Sequence, residues 1–309
     1  MILSNGFGQA NAPKDYSNFI KKADSLYKLK DYKNSSKAFS NAFKSWVWSG
    51  FINDRYNAAC SWSLAGVPDS AFYQLEKLVN KGKYSDYQKL TTDTDLKPLY
   101  NDKRWNELLK LVNENKEKKE KKEANFNKPL IKLLDSLVKE DQKWRVYLTK
   151  YQNKELGNDT ISEIYINQKL AITDSLNYFK IKEIFNKIGY PNYDIVGTEG
   201  SHNFWLLVQH QDIHPQFQDS VLLKMKIEVD NKKAYGFDYA YLVDRVKLNT
   251  GQLQIYGTQM RLNKDSTSYE PKPVIEPDKL NERRKSVGMD GIEIYIEIMN
   301  KRFFGSLKK

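Results

Sequence analysis

The three histidines of the chain lie within a stretch of 13 residues, which makes this segment the first place to look for chemistry. They are His202, His210 and His214, and Asp212 lies among them. A zinc site would need three such ligands converging on the ion at about 2.1 Å. Pro215 disfavours helix at His214 and so breaks its i,i+4 relation with His210. We therefore predict no metal and no cofactor here.

His210 is the strongest candidate among the three histidines for a functional role. It is expected to end a helix, where a protonated imidazole is stabilised by the helix dipole. It is either a structural, hydrogen-bonded histidine or one that binds a ligand or transfers a proton. In the second interpretation Asp212 or Asp244 orients the ring, so that these three residues are the candidate catalytic set. Arg245 or Arg284 would then bind an anionic group.

Motifs that define the common enzyme mechanisms are missing from the sequence. It has no Walker loop, no Gly-x-Gly-x-x-Gly loop and no serine nucleophile elbow. The single cysteine, Cys60, excludes an internal disulfide and a cysteine-based zinc ribbon. Because Cys60 lies in the N-terminal part of the chain, a covalent cysteine mechanism is excluded for the C-terminal part.

The net charge of +11 does not indicate a nucleic-acid-binding protein. The basic residues are mostly lysine, with only 8 arginines, and arginine is the residue that reads phosphate and guanine bidentately. The charge is also spread, since residues 129–309 carry 27 basic against 24 acidic side chains. No stretch approaches the roughly 18 uncharged apolar residues of a membrane span. We predict neither a nucleic-acid partner nor a membrane span.

A helical repeat occupies the first part of the chain. Two small residues 12 positions apart, followed four positions later by a large apolar residue, occur twice with an offset of 36: Ala23, Ser35 and Phe39, then Ala59, Ala71 and Leu75. Small residues let paired helices approach closely, and the large residue fills the space between them. This pattern predicts two helix-turn-helix units, at about 15–45 and 52–82.

The second unit continues into a recognisable series of residues. The series is Asn57-Ala58-Ala59-Cys60, Gly66, Asp69, Ala71-Phe72, Leu75, Lys81-Gly82, Asp93-Thr94-Asp95-Leu96, Leu99, Arg104-Trp105 and Leu108-Leu109. It resembles the end-of-group closing unit of bacterial tetratricopeptide arrays over residues 52–112. The resemblance implies the end of an α-solenoid, whose last helices cap the stack. We hypothesise that the groove of the solenoid holds a peptide or protein partner. The aromatic residues available for that contact are Trp46, Trp48, Tyr56, Trp62 and Tyr73.

The remaining sequence predicts further helices and one small β-hairpin. Residues 113–128 have almost no apolar content and are predicted to be a charged linker or helix extension. Helices are predicted from Pro129, over Thr160–Ile188, from Ser201 to His210, from Pro215 to Asp230, over Tyr235–Leu248 and over Asp278–Ser286. Leu253–Tyr256 alternates like a strand and is predicted to pair with Val274-Ile275. The segment around Ile292–Met299 fits either a strand or a helix, and we favour the helix.

Several polar blocks of the C-terminal part occur in a characteristic order. They are Gly189-Tyr190-Pro191, Val196-Gly197, Trp205-Leu206-Leu207-Val208-Gln209-His210-Gln211-Asp212, Phe217-Gln218, Tyr239-Ala240-Tyr241-Leu242-Val243-Asp244-Arg245, Tyr256-Gly257-Thr258-Gln259 and Arg283-Arg284-Lys285-Ser286-Val287-Gly288. Residues 130–300 thereby resemble a bacterial domain family of unknown function that is found alone or behind tetratricopeptide repeats in exported proteins. The resemblance implies no known activity. The candidate ligand-binding residues are Gln209, Arg245, Tyr256, Gln259 and Arg284.

The expected architecture is mainly α, with a short tetratricopeptide α-solenoid at 13–112, the charged segment at 113–128 and a helical domain with a small β-hairpin at 129–309. Residues 1–12 are interpreted as a signal-peptide remnant or a disordered tail, because Phe7-Gly8-Gln9-Ala10 resembles the end of a signal peptide. This favours a periplasmic or secreted protein over a cytoplasmic one.

Three functions are compatible with these features. The first is an interaction protein, with a partner on the repeats and a small polar or anionic ligand in a pocket around His210. The second is a hydrolase or transferase with His210 as general base, and the third is a structural envelope protein. An enzyme needs His210, an acid and an arginine to converge in an open cleft. A buried Asp244–Arg245 block that pairs within the bundle would count against the enzyme.

Overall fold

A computed structural model describes residues 12–155 and 161–304. The fold is mainly α with one small two-stranded sheet, as predicted. The chain divides into two units, one made of Met1–Ala124 with Glu297–Lys309 and the other of Asn125–Ile296. The predicted signal remnant or tail at 1–12 lies outside the described residues except for Ala12. Within those residues we find no helix whose length and apolar character would let it cross a bilayer.

The first unit begins with two pairs of helices, as the repeat pattern predicts. Its helices are α1 (Lys14–Lys28), α2 (Tyr32–Ser45), α3 (Ile52–Leu64), α4 (Pro68–Asn80), α5 (Tyr87–Thr92) and α6 (Lys103–Glu123), with a 3₁₀ helix over Thr94–Leu99. The helices of each pair pack against each other, and α2 packs against α3. The charged residues 113–123 continue α6 as a helix.

The repeated small residues lie where the helices approach most closely. Ala23, Ala59 and Ala71 are fully buried, and so is Ser35. The Ser35 hydroxyl donates a hydrogen bond of 2.9 Å to the carbonyl oxygen of Ala23 and lies 3.1 Å from the hydroxyl of Ser61. A larger side chain at any of these positions would separate the helices, which explains the recurrence of small residues.

The second unit is a bundle of longer helices. They are α7 (Lys128–Gln152), α8 (Glu163–Ile188), α9 (Tyr193–Gln209), α10 (Pro215–Asp230), α11 (Gly236–Asn249) and α12 (Leu280–Ser286), and α13 (Ile292–Phe304) follows. Helix α7 packs against α8 and α9, and α10 packs against α11. One apolar core runs through the bundle and includes Leu134, Ile181, Phe204, Val221 and Leu242.

Helix α9 begins eight residues before the predicted start at Ser201. Asn192 is the actual cap, because its side chain accepts hydrogen bonds from the backbone N–H groups of Asp194 and Ile195. Gly197 interrupts the helix with a φ of 72°, and Ser201 is buried beyond that break. Ser201 therefore lies inside the helix and does not cap it, because the helix continues across the break at Gly197.

The hairpin also differs from the prediction. Strands β1 (Met260–Leu262) and β2 (Tyr269–Pro271) pair antiparallel, with Arg261 opposite Glu270. The predicted strand partners make only one parallel bridge, between Gln254 and Val274. The reason is that the backbone N–H groups after Gln254 donate to a buried carboxylate instead of a neighbouring strand.

Gly236, at the start of α11, allows a close approach that no other residue permits. A Cβ atom there would overlap the carbonyl oxygen of Val287 and lie 2.9 Å from its carbonyl carbon. We expect Gly236→Ala to lower the free energy of unfolding by about 3 kcal/mol in urea titrations, because backbone rather than a flexible side chain must move. Gly251→Ala is the control, with φ of +75° but no atom within 4 Å, and should lose about 1 kcal/mol. Equal losses would contradict the close-approach explanation.

Candidate functional site

The structure gives each of the three histidines a different partner. Nδ1 of His202 lies 2.7 Å from Oδ2 of Asp238, Nδ1 of His210 lies 3.0 Å from Oδ1 of Asp141, and the ring of His214 stacks on Tyr178 with 3.6 Å between centroids. The three imidazoles therefore do not form one metal site. His210 is the histidine whose surroundings gather further charged groups.

Those groups form a cluster of four side chains from three helices, which we call the His210 cluster. It consists of Asp141 and Arg145 on α7, Asp174 on α8 and His210 at the end of α9. Arg145 donates from Nε to Oδ2 of Asp141 and from Nη2 to its Oδ1, both at 3.2 Å. Nη2 also donates to Oδ1 of Asp174 at 2.5 Å. Asp141 thus binds the imidazole and the guanidinium together.

The charges of the cluster fix the state of Asp141. Burial raises the pKa of its carboxyl, but the hydrogen bond and charge of His210 and the charge of Arg145 outweigh burial, so the pKa lies below its ordinary value. The pKa of Asp174 is raised, because burial exceeds the opposing effect of Arg145. Burial lowers the pKa of Arg145, but the two carboxylates outweigh burial and raise it. Asp141 is accordingly ionised at neutral pH.

An ionised Asp141 also sets the tautomer of His210. Because a carboxylate only accepts, the hydrogen-bond geometry assigns a proton to Nδ1 of His210, and Nε2 carries a lone pair when the ring is neutral. No residue in the described part of the chain hydrogen-bonds to Nε2. The His210 side chain is 12% exposed to solvent. This arrangement lets Nε2 accept a hydrogen bond or a proton.

The cluster also has the donor types of a metal site. Asp141, Asp174 and His210 offer ligand atoms that all lie within 4.8 Å of one another. However, the Arg145 guanidinium bridges the two carboxylates and offsets one of their two negative charges. The two carboxylates are therefore engaged by Arg145 and are not free ligands for a metal ion.

Asp141, Arg145 and Asp174 were not predicted from the sequence. A signal for Asp141 was present, since the apolar stripe of α7 runs through Leu130 and Leu134 and a charged residue interrupts its continuation seven positions later. Asp141 has no exposed side-chain surface. A charged residue on the buried face of a helix requires a partner, and its chemistry could have been inferred from that.

Neither predicted acid orients His210, which corrects the predicted catalytic set. Asp212 accepts hydrogen bonds from Nε and Nη2 of Arg245 at 2.7 and 2.6 Å, and one from Asn249 at 2.8 Å. It thus ties the segment after α9 to α11. Nearness in sequence to His210 suggested Asp212, but the ring is held by Asp141 from another helix.

Asp244 is buried and shapes the backbone instead. Its carboxylate accepts hydrogen bonds from the N–H groups of Ile255, Tyr256 and Thr258 at 2.6 to 2.8 Å, and from the Thr258 hydroxyl at 2.8 Å. Burial raises the pKa of this carboxyl, and the donated hydrogen bonds oppose that rise. The group is saturated by the loop that follows α11, so it has no free acceptor for a catalytic role.

The predicted ligand-binding residues near this loop are also engaged in folding. Arg284 is buried and donates to the carbonyl oxygens of Tyr256 and Asp290, both at 2.7 Å. The backbone N–H of Gln259 donates to the Gln254 side chain at 3.0 Å. Gln209 is buried, and the Gln218 amide lies 3.5 Å from its carbonyl oxygen. Together with Arg245, which binds Asp212, these residues have partners other than His210.

The predicted peptide-binding aromatics differ widely in exposure. Tyr56 is buried, and its hydroxyl donates to Asp93 at 2.7 Å, so it is not a surface contact. Trp46 and Trp62 are partly buried against the two cores of the unit. Trp48 and Tyr73 are the two of the five whose side chains are exposed.

A protein-family model described as a family of unknown function, DUF6624, matches residues 131–308, more than half of the chain. The chain belongs to this family. No curated protein and no solved structure matches the chain. All four residues of the His210 cluster lie within the DUF6624 domain, and so do Asp244 and Arg284. Since the family description supplies no activity, the function has to be argued from the site.

Proposed function

We propose that the protein is a binding protein whose DUF6624 domain recognises a small polar ligand at the His210 cluster. The main support is the hydrogen bond between the buried Asp141 carboxylate and Nδ1 of His210. Nε2 has no hydrogen-bond partner among the described residues. A buried charge network that served stability alone could be replaced by apolar packing without loss. An oriented imidazole with an available nitrogen is better suited to contacting a ligand.

Arg145 defines the complementary half of the ligand. Its Nε and Nη2 are held by Asp141 and Asp174, while Nη1 has no hydrogen-bond partner in the described ranges. A ligand with a donor for Nε2 of His210 and an acceptor for Nη1 of Arg145 satisfies both. Hydroxy acids and amino acids combine these groups, and both belong to the polar and anionic class expected from the sequence.

The N-terminal unit would contribute a partner-binding surface to the same protein. Its paired helices support a tetratricopeptide-like scaffold, and Tyr73 is the exposed aromatic residue placed to touch a partner. This part of the proposal rests on the repeat pattern and on those exposures.

We expect His210→Gln to weaken small-ligand binding while the fold is retained. A saturation-transfer NMR screen of hydroxy acids, amino acids and other small polar metabolites would identify binders of the wild-type chain. A true ligand should bind at least about tenfold more weakly to His210→Gln and to Arg145→Lys, because each removes one half of the recognition. His214→Gln, whose ring stacks on Tyr178, is the matched control and should bind normally.

Two outcomes would contradict the proposal. One is a screen in which no compound binds the wild-type chain. The other is a ligand that binds His210→Gln as tightly as wild type. Circular dichroism of each variant separates a lost contact from a lost fold.

A hydrolase or transferase with His210 as general base is the second candidate, favoured by the same pair of residues. A carboxylate on Nδ1 orients the ring and stabilises the imidazolium that forms when Nε2 takes a proton. The buried, saturated Asp244 removes the acid that the sequence suggested for this role, and Asp141 replaces it. Turnover of a bound compound that is lost in His210→Gln, with binding of the intact compound retained, would favour the enzyme.

A further inference from the structure

The turn between α2 and α3 exposes apolar side chains that have no role in the site described above. Val47 is 87% exposed, Trp48 is 55% exposed, and Ile52 at the start of α3 is 46% exposed. We propose that this turn, together with the lysines around it, is a contact site for an anionic lipid surface. The inference is independent of the small-ligand function and concerns the other unit of the chain.

The backbone of the turn holds these side chains outward in an unfavourable conformation. Val47 has φ of 49° and Trp48 has φ of 60°, in the left-handed region that a β-branched residue rarely adopts. The Trp48 carbonyl accepts a hydrogen bond of 2.5 Å from Arg55, which fixes the turn. Gly50 fits beneath it, because a Cβ there would lie 2.5 Å from the Phe43 ring. The fold thus maintains a strained turn that presents apolar groups to solvent.

Positive charge surrounds the apolar tip. Lys44 lies in the last turn of α2, and Lys81 and Lys83 flank Gly82, at which a Cβ would lie 3.4 Å from the Ile52 side chain. All three lysines are exposed, and none has a carboxylate within 4 Å among the described residues. The acid that follows them, Asp86, is used in capping α5. Unpaired lysines of this kind attract anionic headgroups.

The shape and chemistry favour a lipid surface over a peptide. Val47 and Trp48 lie on an exposed turn, whereas an extended or helical peptide docks along a strand edge or in a groove. Tryptophan prefers the headgroup region of a bilayer, and lysines beside an apolar tip are typical of proteins that lie on anionic membranes. Trp46, beneath the tip, packs on Tyr16 and Phe51 with ring centroids 5.1 Å away, so the turn is anchored to the core.

The test is co-sedimentation of the full chain with phosphatidylcholine vesicles that contain or lack about 30% phosphatidylserine. We expect binding to the anionic vesicles, at least about tenfold weaker binding to the neutral ones, and weakening by salt. Replacing Val47 and Trp48 by asparagine should reduce binding about tenfold or more. Asparagine tolerates the left-handed region, so this double variant should fold at least as well as wild type.

The matched control is Leu223→Ser with Ile227→Ser, which removes two exposed apolar side chains from α10. This control should bind anionic vesicles like wild type. Three results would overturn the proposal: no binding of the wild-type chain, equal binding of the Val47 and Trp48 double variant, or an equal loss in the α10 control. If vesicles are not bound but the double variant loses a purified protein partner, the tip is a protein-docking surface and the lipid proposal is wrong.

Discussion

Asp141→Asn is expected to lower the free energy of unfolding by about 3 kcal/mol at neutral pH. The substitution removes a buried negative charge that holds both Arg145 and His210, and it can place an amide N–H against the protonated Nδ1. Asp174→Asn is the matched control. Asp174 is partly exposed and binds Arg145 alone, and burial offsets that interaction, so we expect a loss below about 1 kcal/mol. Urea unfolding followed by circular dichroism measures both.

The two aspartates should also affect the pH dependence of stability in opposite directions. The folded-state pKa of Asp141 is lowered, so its contribution is present above the unfolded pKa of about 4 and is lost as pH falls through the folded pKa. The pKa of Asp174 is raised, so the folded state favours its protonated form and loses stability as pH rises through that pKa. The destabilisation by Asp141→Asn should therefore be larger at pH about 7 than at about 3.5. For Asp174→Asn the order should be reversed, and the same order in both variants would contradict the assignment.

Asp244→Ala is expected to be the most damaging substitution in the DUF6624 domain, with a loss of about 4 kcal/mol or more. It leaves the N–H groups of Ile255, Tyr256 and Thr258 without their acceptor, and an unsatisfied buried donor costs about 1–3 kcal/mol. Asp212→Ala removes an exposed pair with Arg245 and should cost about 1 kcal/mol or less. Urea titration and amide hydrogen exchange of the loop after α11 measure the difference.

If Asp244→Ala fails to fold, Asp244→Asn provides a milder version of the same measurement. The asparagine keeps one acceptor oxygen, so part of the loop retains its hydrogen bonds. Hydrogen exchange should accelerate at the N–H groups that lose their acceptor. Comparable stability of the Asp244 and Asp212 variants would show that the loop is held by other contacts.

Local signals in the sequence account for most of the helices. Helix α10 begins at Pro215 and ends at Asp230, as predicted, because proline favours the first turn and the chain reverses at Lys232 with φ of 59°. The misplaced hairpin has a non-local cause. Leu253–Tyr256 alternates like a strand, but Asp244 takes the N–H groups that a ladder would use. No pattern within the segment itself could reveal that competition.

Of the candidate site, His210 could be predicted from the sequence, but its partners could not. His210 attracted notice because histidines are few and it was expected to end a helix, which it does as the C-cap of α9. Its partner Asp141 lies 69 positions away, on a helix whose register against α9 is set by packing. Sequence proximity favoured Asp212 instead. The tetratricopeptide character of the first unit stays a prediction, supported by its helix pairs.

The loop after α11 also couples two charged side chains electrostatically. The N–H of Tyr256 donates to Asp244, and the carbonyl of the same peptide group, that of Ile255, accepts from Nε of Arg283 at 2.9 Å. One peptide dipole therefore stands between a carboxylate and a guanidinium and is aligned by both. The two charges act on each other through this polarised group without touching. Residues 244 and 283 should consequently be energetically coupled, and this coupling does not depend on which side chain occupies position 255.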